Sequence, residues 1–190
     1  MEVIIEMNSE LKSDHGIKGK TPEPPLASLA ESGSEMIWAM LAQIPDPEIP
    51  VISIVELGIV RNVEMNKGKV IVSITPTYSG CPAMKVIEQE VISKLSENGM
   101  DAEIKTVYSP VWTTDWIGDE AKEKLRLYGI APPEKRLTDK TSLLGSTKEI
   151  HCPRCQSVRT ELISQFGSTA CKALYRCKEC REPFDYFKCH

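Results

Sequence analysis

The 190-residue sequence lacks the motifs by which many iron and flavin enzymes are recognised. It has no Glu-x-x-His pair, the helical motif that holds a di-iron centre, and no Gly-x-Gly-x-x-Gly motif for a flavin or nicotinamide. Histidine is scarce: the three are His15, His151 and His190. The missing motifs argue against oxygen chemistry and hydride transfer in this chain. Because a cysteine nucleophile needs a nearby base, the scarcity of histidine argues against histidine-assisted covalent catalysis.

Long apolar runs and a strong charge imbalance are also missing. The N-terminal residues MEVIIEMNSELK have no basic region, and their apolar run is too short for a signal peptide. The most apolar later stretch, Ile49–Val60, contains Ser53 and Glu56 and is shorter than the roughly 20 residues of a membrane span. The net charge of −4 gives no general attraction to nucleic acid or to an anionic membrane. We therefore expect a cytoplasmic protein with neither as a partner.

Cysteine, in contrast, is abundant, and six of the seven lie after residue 148. Cys152 and Cys155 form one C-x-x-C pair, and Cys177 and Cys180 form another, 21 residues further on. This spacing is typical of four-thiolate structural zinc sites. A module of about 43 residues cannot bury enough apolar surface alone, so we expect zinc to hold it together. Rubredoxin-type iron uses the same four ligands and stays open as an alternative.

The remaining cysteines of this module receive no clear function from the sequence. Cys171 is expected to pack within the ribbon, and no role is predicted for Cys189 or His190 at the chain end. The region 148–190 has eight Lys/Arg and five Asp/Glu, a net charge of about +3. A nucleic-acid-binding ribbon is therefore a weak alternative, since this charge is modest and no aromatic stacking platform is evident.

Composition divides the chain into four parts. Residues 1–33 are rich in Gly, Pro, Ser and charge and predict a disordered segment. Residues 34–130 have the periodicity of an α/β domain, 131–148 predict a linker, and 149–190 form the ribbon. The predicted fold is thus a small αββαβα domain of the α/β (α+β) class with a C-terminal zinc-ribbon module.

The element order of the α/β domain follows from its hydrophobic periodicity. A helix with Ser34 as its N-cap, a hairpin turning at Asn66–Gly68, a helix from Pro82, a third strand and a third helix are predicted. The second and third strands are joined through a helix, which favours parallel pairing. Ile117, Ala121, Leu125 and Tyr128 are assigned to the buried face of the third helix.

The ten residues TPTYSGCPAM, Thr75–Met84, are the most informative stretch. They join a strand to a helix and place Cys81 at the helix N-terminus, followed by Pro82. Free backbone N–H groups and the helix dipole favour a thiolate there, so we expect the pKa of Cys81 to lie below about 8.5. The alternative is that Cys81 is a small buried apolar residue.

A second candidate feature is the proline-rich loop Asp46–Pro50, which contains Asp46 and Glu48. The two carboxylates are either part of a solvated turn or hard ligands beside the Cys81 thiol. A mixed pocket of thiolate and carboxylate is suited to holding iron transiently. The sequence spacing alone favours the solvated turn.

A third feature is the loop in which Trp112 and Trp116 flank Thr113, Thr114 and Asp115. Its tryptophans predict core packing, and Thr114 or Asp115 is expected to cap the third helix. The alternative is that the loop forms a pocket wall next to the thiol.

These motifs together resemble a known family. DPEIPVISIVELGIV and TPTYSGCPAM resemble the metal–sulfur cluster assembly (SufT-like) domain. SPVWTTDWIGDEAKEKLRLYGIAPP followed by the cysteine-rich ribbon resembles the D-subunit family of bacterial phenylacetyl-CoA epoxidases, and the resemblance extends from about residue 34 to the C-terminus.

The resemblance implies an accessory subunit that assists assembly or delivery of an iron or iron–sulfur cofactor. Its partners would be the other epoxidase subunits, namely a di-iron oxygenase, a structural companion and a flavin/iron–sulfur reductase. It also implies a candidate site at Asp46, Glu48 and Cys81, with Thr113 and Thr114 as further candidates. A general iron–sulfur cluster assembly factor, or an enzyme with Cys81 as nucleophile, remains the alternative.

Overall fold

The computed structural model describes residues 32–133 and 150–188 of the chain. Its first part has helices α1 to α3 and strands β1 to β4, and its second part has strands β5 to β7. The elements are α1 (Ser32–Leu41), β1 (Val60–Asn66), β2 (Lys69–Ile74), α2 (Ala83–Glu97), β3 (Asp101–Thr106), α3 (Asp119–Tyr128), β4 (Ile130–Ala131), β5 (Thr160–Ser164), β6 (Lys172–Cys177) and β7 (Pro183–Phe187).

The first sheet has the order β1-β2-β3. Strands β1 and β2 form an antiparallel hairpin, because Lys67 and Gly68 both adopt the positive φ values, 50° and 83°, that suit a tight hairpin turn. Strand β3 pairs parallel to β2 after the crossover through α2. The predicted αββαβα order and the parallel pairing are therefore confirmed.

The core of this α/β module includes an irregular segment as well as helices and strands. Helix α2 buries Ala83, Ile87, Val91 and Leu95. Between α1 and β1 the chain has no long element, yet Ile49, Ile52 and Ile54 are at most 1% exposed. Burial of these isoleucines fixes the loop that begins at Asp46 against the rest of the module.

Two local expectations are wrong. Helix α1 already includes Ser32, so Ser34 lies inside it and is not its N-cap. Tyr128 is 55% exposed, although Ala121 and Leu125 of the same helix are buried as predicted. Tyr128 is the last residue of α3, before the left-handed C-cap Gly129 (φ 96°), and its side chain lies beyond the part of the helix that the core covers.

The ribbon forms a second sheet of order β4-β7-β6-β5, in which β4 belongs to the segment that follows α3. Within this sheet β5–β6 and β6–β7 are antiparallel, and β4 pairs parallel to β7. The predicted linker, 131–148, thus begins with a residue of β4. From residue 134 it lies outside the described residues, as do residues 1–31 of the predicted N-terminal disordered segment.

The ribbon sheet contributes to two cores. Ala131 and Tyr186 lie in a core cluster of the ribbon, whereas their chain neighbours Ile130 and Phe187 lie in the core cluster of the α/β module. Successive side chains of a strand point to opposite faces, so one face of the sheet covers the ribbon core and the other packs on the α/β module. None of the helices in the described parts of the chain has the length and apolarity needed to cross a membrane.

Gly58 provides a test of this packing. Its φ is +74°, and a Cβ there would lie 3.0 Å from the Cβ of Trp116, whereas a Cβ at Gly68 (φ +83°) would meet nothing within 4 Å. Gly58→Ala therefore has two costs, a strained left-handed backbone and overpacking against Trp116. Gly68→Ala has only the strained backbone. We expect Gly58→Ala to lower the free energy of unfolding by about 1–3 kcal/mol more than Gly68→Ala. Urea denaturation of the metal-loaded variants measures this, and equal losses would contradict the packing described.

Candidate functional site

The Asp46 side chain is buried and shapes its own loop. Its Oδ1 accepts hydrogen bonds from the backbone N–H groups of Glu48 at 2.9 Å and Ile49 at 2.8 Å. Burial raises the pKa of the Asp46 carboxyl above its ordinary value, although these two N–H groups oppose the rise. Asp46 therefore holds the turn in place, and the solvated-turn alternative is wrong for this residue, which is only 5% exposed.

Cys81 lies directly before the N-cap of α2. Its backbone N–H donates to the Tyr78 carbonyl at 3.1 Å, and Pro82 is the N-cap of the helix. Cys81 is half-buried, its carbonyl oxygen accepts the Met84 N–H at 3.4 Å, and the N–H groups of Ala83 and Met84 favour the ionised form of its thiol. The Tyr78 hydroxyl is also hydrogen-bonded to Cys81.

The expected low pKa of Cys81 is wrong. Burial raises the pKa of the thiol, and the negative charges of Glu48 and Asp46 raise it further, against the opposing effect of the Ala83 and Met84 N–H groups. The helix terminus acts in the predicted direction, but desolvation and the acidic loop outweigh it. The charges of both carboxyl groups of the acidic loop therefore act on the Cys81 thiol.

Three side chains of the ribbon complete this neighbourhood. The Cys171 thiol donates a hydrogen bond to Glu48 Oε2 at 3.3 Å, and its sulfur lies 3.0 Å from Thr169 Oγ1. Lys172 Nζ donates to the Glu48 carbonyl oxygen at 3.4 Å. Cys171 is 4% exposed and belongs to the core cluster of the α/β module, so the expectation that it packs within the ribbon is wrong. Burial raises the pKa of its thiol to about 12.

Sequence reasoning missed Cys171, Thr169, Lys172 and Tyr78 as members of this neighbourhood. Tyr78 lies within the stretch already singled out, and its position three residues before Cys81 was an available signal. The three ribbon residues had no such signal, because they lie more than 120 residues from Glu48 along the chain.

The tryptophan loop has a packing role. Trp112 is buried, donates its Nε1–H to the Leu57 carbonyl at 2.9 Å, and contacts the Phe187 ring edge-on at a centroid distance of 6.0 Å. Trp116 is also buried, with the Arg61 guanidinium 3.5 Å from its ring centroid. The predicted assignment of both tryptophans to the core agrees with these contacts, and Trp112 in addition joins the two modules.

Thr113 and Thr114 organise the same loop. Thr113 Oγ1 accepts a hydrogen bond from the Asp115 N–H at 3.2 Å and caps the short 3₁₀ turn Thr114–Trp116, in which Thr114 is buried. The N-cap of α3 is Gly118, so the expected capping of that helix by Thr114 or Asp115 is wrong. The extra turn intervenes because the chain must bury Trp116 before α3 begins.

The four predicted ribbon ligands come together. Cys152 Sγ lies 3.7 Å from Cys180 Sγ, Cys155 Sγ lies 3.4 Å from Cys177 Sγ, and all four sulfurs lie within 4.8 Å of one another. Zinc–sulfur bonds of about 2.3 Å in a tetrahedron place sulfurs about 3.8 Å apart, so the donor set fits one tetrahedral ion. Among the described residues this is the only group of three or more ligating side chains gathered so closely.

The two C-x-x-C turns share one backbone design. The N–H of the first cysteine donates to the carbonyl five residues on, from Cys152 to Ser157 at 2.9 Å and from Cys177 to Glu182 at 3.0 Å. The residue after each second cysteine, Gln156 or Arg181, has a positive φ of 61° or 64°. This repeated turn directs two sulfurs from each loop towards a common centre.

The electrostatics of Cys81 can be tested by alkylation. Removing the Glu48 charge in Glu48→Gln should lower the pKa of Cys81, which increases its thiolate fraction at a fixed pH near neutrality. We expect faster reaction of Cys81 with iodoacetamide, by about three- to fourfold for each unit by which the pKa falls, because a less basic thiolate is also a weaker nucleophile, and a rate profile displaced to lower pH.

Peptide mass spectrometry isolates the Cys81 rate from those of the other cysteines. Glu97→Gln is the matched control, since Glu97 lies at the far end of α2, about 21 Å along the helix axis. An unchanged Cys81 rate in Glu48→Gln would show that the Glu48 carboxylate does not act on this thiol.

Two family models match separate parts of the chain. Residues 34–106 match the family model described as iron–sulfur cluster assembly protein, and residues 136–188 match the model described as PaaD zinc beta ribbon domain. The Fe–S protein maturation auxiliary factor YitW of Bacillus subtilis (strain 168) is 36% identical over 97 residues, which are 50% of this chain and 94% of that protein.

A crystal structure of a domain of unknown function, DUF59, from Bacillus anthracis is 29% identical with a TM-score of 0.46, covering 48% of this chain and 90% of that one. A protein of Escherichia coli (strain K12), named as the D-subunit of 1,2-phenylacetyl-CoA epoxidase, is 52% identical over 166 residues. The match covers 86% of this chain and 98% of that protein, so it includes both modules in the same order. The chain therefore belongs to the D-subunit family of phenylacetyl-CoA epoxidases and combines an iron–sulfur cluster assembly domain with a zinc-ribbon domain.

Proposed function

We propose that this chain is an accessory subunit of a phenylacetyl-CoA epoxidase, in which it assists assembly or delivery of an iron or iron–sulfur cofactor to the other subunits. The observation that carries the proposal is an acidic loop that acts on two thiols, within a domain of the iron–sulfur cluster assembly family: its charges raise the pKa of Cys81, and Glu48 Oε2 accepts a hydrogen bond from Cys171 at 3.3 Å. The name of the Escherichia coli relative supplies the enzyme that such a subunit would serve.

The chemistry of the donors supports handling iron in transit. Thiolate and carboxylate together accept iron, and a cation nearby favours ionisation of a thiol that its surroundings otherwise keep protonated. Cys81 and Glu48 are both partly exposed, so a ligand can enter and leave. Fewer protein ligands than a closed four-thiolate site provides imply weaker retention, which suits a cargo that is passed on.

The ribbon has the opposite character, and we propose that it holds one zinc ion through Cys152, Cys155, Cys177 and Cys180. Four thiolates that meet at tetrahedral spacing fill all positions of a zinc ion and leave none open for substrate. Such a site is structural: it fixes the C-terminal end of β6, at Cys177, and the two C-x-x-C turns.

A general iron–sulfur cluster assembly factor is the second candidate. The observation in its favour is that YitW, named as an Fe–S protein maturation auxiliary factor, aligns over nearly its whole length with half of this chain. The two candidates differ in the range of client proteins, since an epoxidase subunit serves its own complex and a general factor serves unrelated iron–sulfur proteins as well.

Metal content tests the structural site. Cys177→Ser leaves three ligands, and we expect bound zinc to fall from one per chain to nearly none, with loss of the ribbon fold. Because Phe187 packs on Trp112, the intrinsic tryptophan fluorescence should change as well. Lys178→Ser, in the same turn, is the control and should keep its zinc. Full zinc retention in Cys177→Ser, or iron in place of zinc in the wild-type chain, would contradict the assignment.

Cofactor occupancy of the partner subunits tests the functional proposal. With wild-type and Cys81→Ser chains produced at equal levels, we expect the mutant to lower the iron or cluster content of the di-iron subunit or of the reductase to the level found without this chain. Phenylacetyl-CoA oxidation in cells should fall in parallel, whereas Ser79→Ala, in the same loop, should behave as wild type.

Serine is nearly the size of cysteine, so Cys81→Ser should leave the fold intact. Unchanged occupancy and activity would leave Cys81 as a packing residue and refute the proposal. A matching loss in unrelated iron–sulfur proteins would select the general assembly factor instead.

A further inference from the structure

The Glu48 carboxylate lies between two thiols that come from different modules. Its charge acts on Cys81 of the α/β module, and its Oε2 accepts a hydrogen bond from Cys171 of the ribbon at 3.3 Å. Both thiols also contribute to raising the pKa of Tyr78, whose hydroxyl is hydrogen-bonded to Cys81. Cys171 is not one of the four ribbon ligands, and its sulfur is turned towards the α/β module.

The position of Cys171 is fixed from both sides. Within the ribbon, its carbonyl accepts the Lys188 N–H at 3.0 Å and its sulfur contacts Thr169 Oγ1. Towards the α/β module, the sulfur contacts Glu48 and the residue is 4% exposed. The thiol is thus held beside the acidic loop by the fold of both modules and does not occupy a random surface position.

Lys172 shows that the contact is a built polar interface. The residue is only 4% exposed, and its ammonium lies 3.4 Å from the Glu48 carbonyl oxygen and 3.9 Å from Asp185 Oδ2. A buried ammonium is costly unless it has partners, and here its partners come from both modules. It balances part of the negative charge of the loop and anchors the backbone of Glu48.

We propose that Cys171 is a second thiol ligand of the Asp46–Glu48–Cys81 site, so that the iron cargo is held between the two modules by Cys81, Cys171 and Glu48. This inference rests on the proposed function. Each thiol releases its proton to solvent when its sulfur binds iron, as metal binding to cysteine requires. The ribbon then has two roles: it binds its own metal, and it contributes a donor to the neighbouring site.

The spacing of these donors favours an iron–sulfide core over a single ion. No three of Asp46, Glu48, Cys81 and Cys171 have donor atoms that all lie within 4.8 Å of one another, as the four ribbon sulfurs do. A core with two metal atoms and bridging sulfides spans a larger gap between its protein ligands than one tetrahedral ion does. An iron–sulfide core, the cargo that the matched cluster-assembly family model names, is therefore tested beside Fe²⁺ alone.

Reconstitution of the full-length, zinc-loaded chain without oxygen tests the inference. Fe²⁺ is added with sulfide in one arm and alone in the other, and iron, sulfide and zinc per chain are measured after gel filtration. We expect retention with sulfide, and at least about tenfold weaker retention in both Cys81→Ser and Cys171→Ser, since removing even outer-shell partners of metal ligands costs about 10–100-fold. Ala173→Ser, which adds a buried hydroxyl two residues along the ribbon, should retain iron as wild type does.

A comparison of Cys171→Asp with Cys171→Ala separates ligation from packing. If Cys171 only packs, a buried carboxylate perturbs the fold more than alanine and retains less iron. If Cys171 is a ligand, aspartate can still bind iron and retains more than alanine. The expected order is wild type, then Cys171→Asp, then Cys171→Ala, with zinc constant at one per chain.

The outcomes distinguish this inference from the proposed function. Loss of iron in Cys81→Ser with full retention in Cys171→Ala would overturn the role of Cys171 and leave the function standing. Full iron retention in Cys81→Ser would refute both the role of Cys171 and the proposed function. Equal iron retention in the arms with and without sulfide would show that the cargo is not an iron–sulfide core.

Discussion

The alternation of side chains along the ribbon sheet is the constraint on which the rest of the structure depends. On β7, Tyr186 faces the ribbon core and Phe187 faces the α/β core, where it meets Trp112. On β4, Ala131 and Ile130 divide in the same way. A slip of one residue would exchange every pair between the two cores, so burial on both faces fixes the register of the sheet. Two modules that share a sheet in this way cannot move independently.

The register of this sheet also connects the four ribbon cysteines to the neighbourhood of Glu48. Strand β6 has the ribbon ligand Cys177 at one end and Lys172 at the other, about 16 Å apart, and Cys171 immediately precedes the strand. A metal that holds Cys177 in place therefore holds the position from which Lys172 and Cys171 reach Glu48. The dependence is mechanical and needs no change of shape, because an ordered ribbon is sufficient to present the two side chains.

The acidic loop determines the chemical state of the candidate site. Burial and the charges of Glu48 and Asp46 raise the pKa of Cys81, and burial raises that of Asp46 as well. The two carboxyl groups make ionisation of the Cys81 thiol less favourable, so this thiol is poorly suited to act as a free thiolate nucleophile. A bound cation has the opposite effect, because it favours the ionised forms of the thiol and the carboxyl groups. The arrangement that argues against covalent catalysis is the one that favours binding a positively charged metal centre.

The sequence predicted what depends on neighbouring residues. Hydrophobic periodicity indicated the αββαβα order, the turn at Lys67 and Gly68 indicated the hairpin, and the two C-x-x-C pairs indicated the ribbon ligands. Some local details, such as the helix caps expected at Ser34 and Thr114, are wrong as well, but the errors at the candidate site concern what distant parts of the chain do to a local motif. The helix N-terminus at Cys81 has its predicted N–H groups, yet burial of the thiol, together with the charges of the acidic loop, raises its pKa. The Glu48–Cys171 contact spans 123 residues, and no local rule of spacing can reveal it.

The contrast between the two sites indicates how one chain can keep one metal and pass on another. The affinity of a given donor set for zinc exceeds that for ferrous iron, and thiolates strengthen this preference. In the proposed arrangement a closed site of four thiolates takes zinc and retains it, whereas two thiols and a carboxylate, of which Cys81 and Glu48 are partly exposed, hold a centre less firmly. If the ribbon metal orders the strand that brings Cys171 to Glu48, as proposed, the tight site must be filled before the weak one is complete. Permanent binding in the ribbon is in this sense a precondition for transient binding beside it.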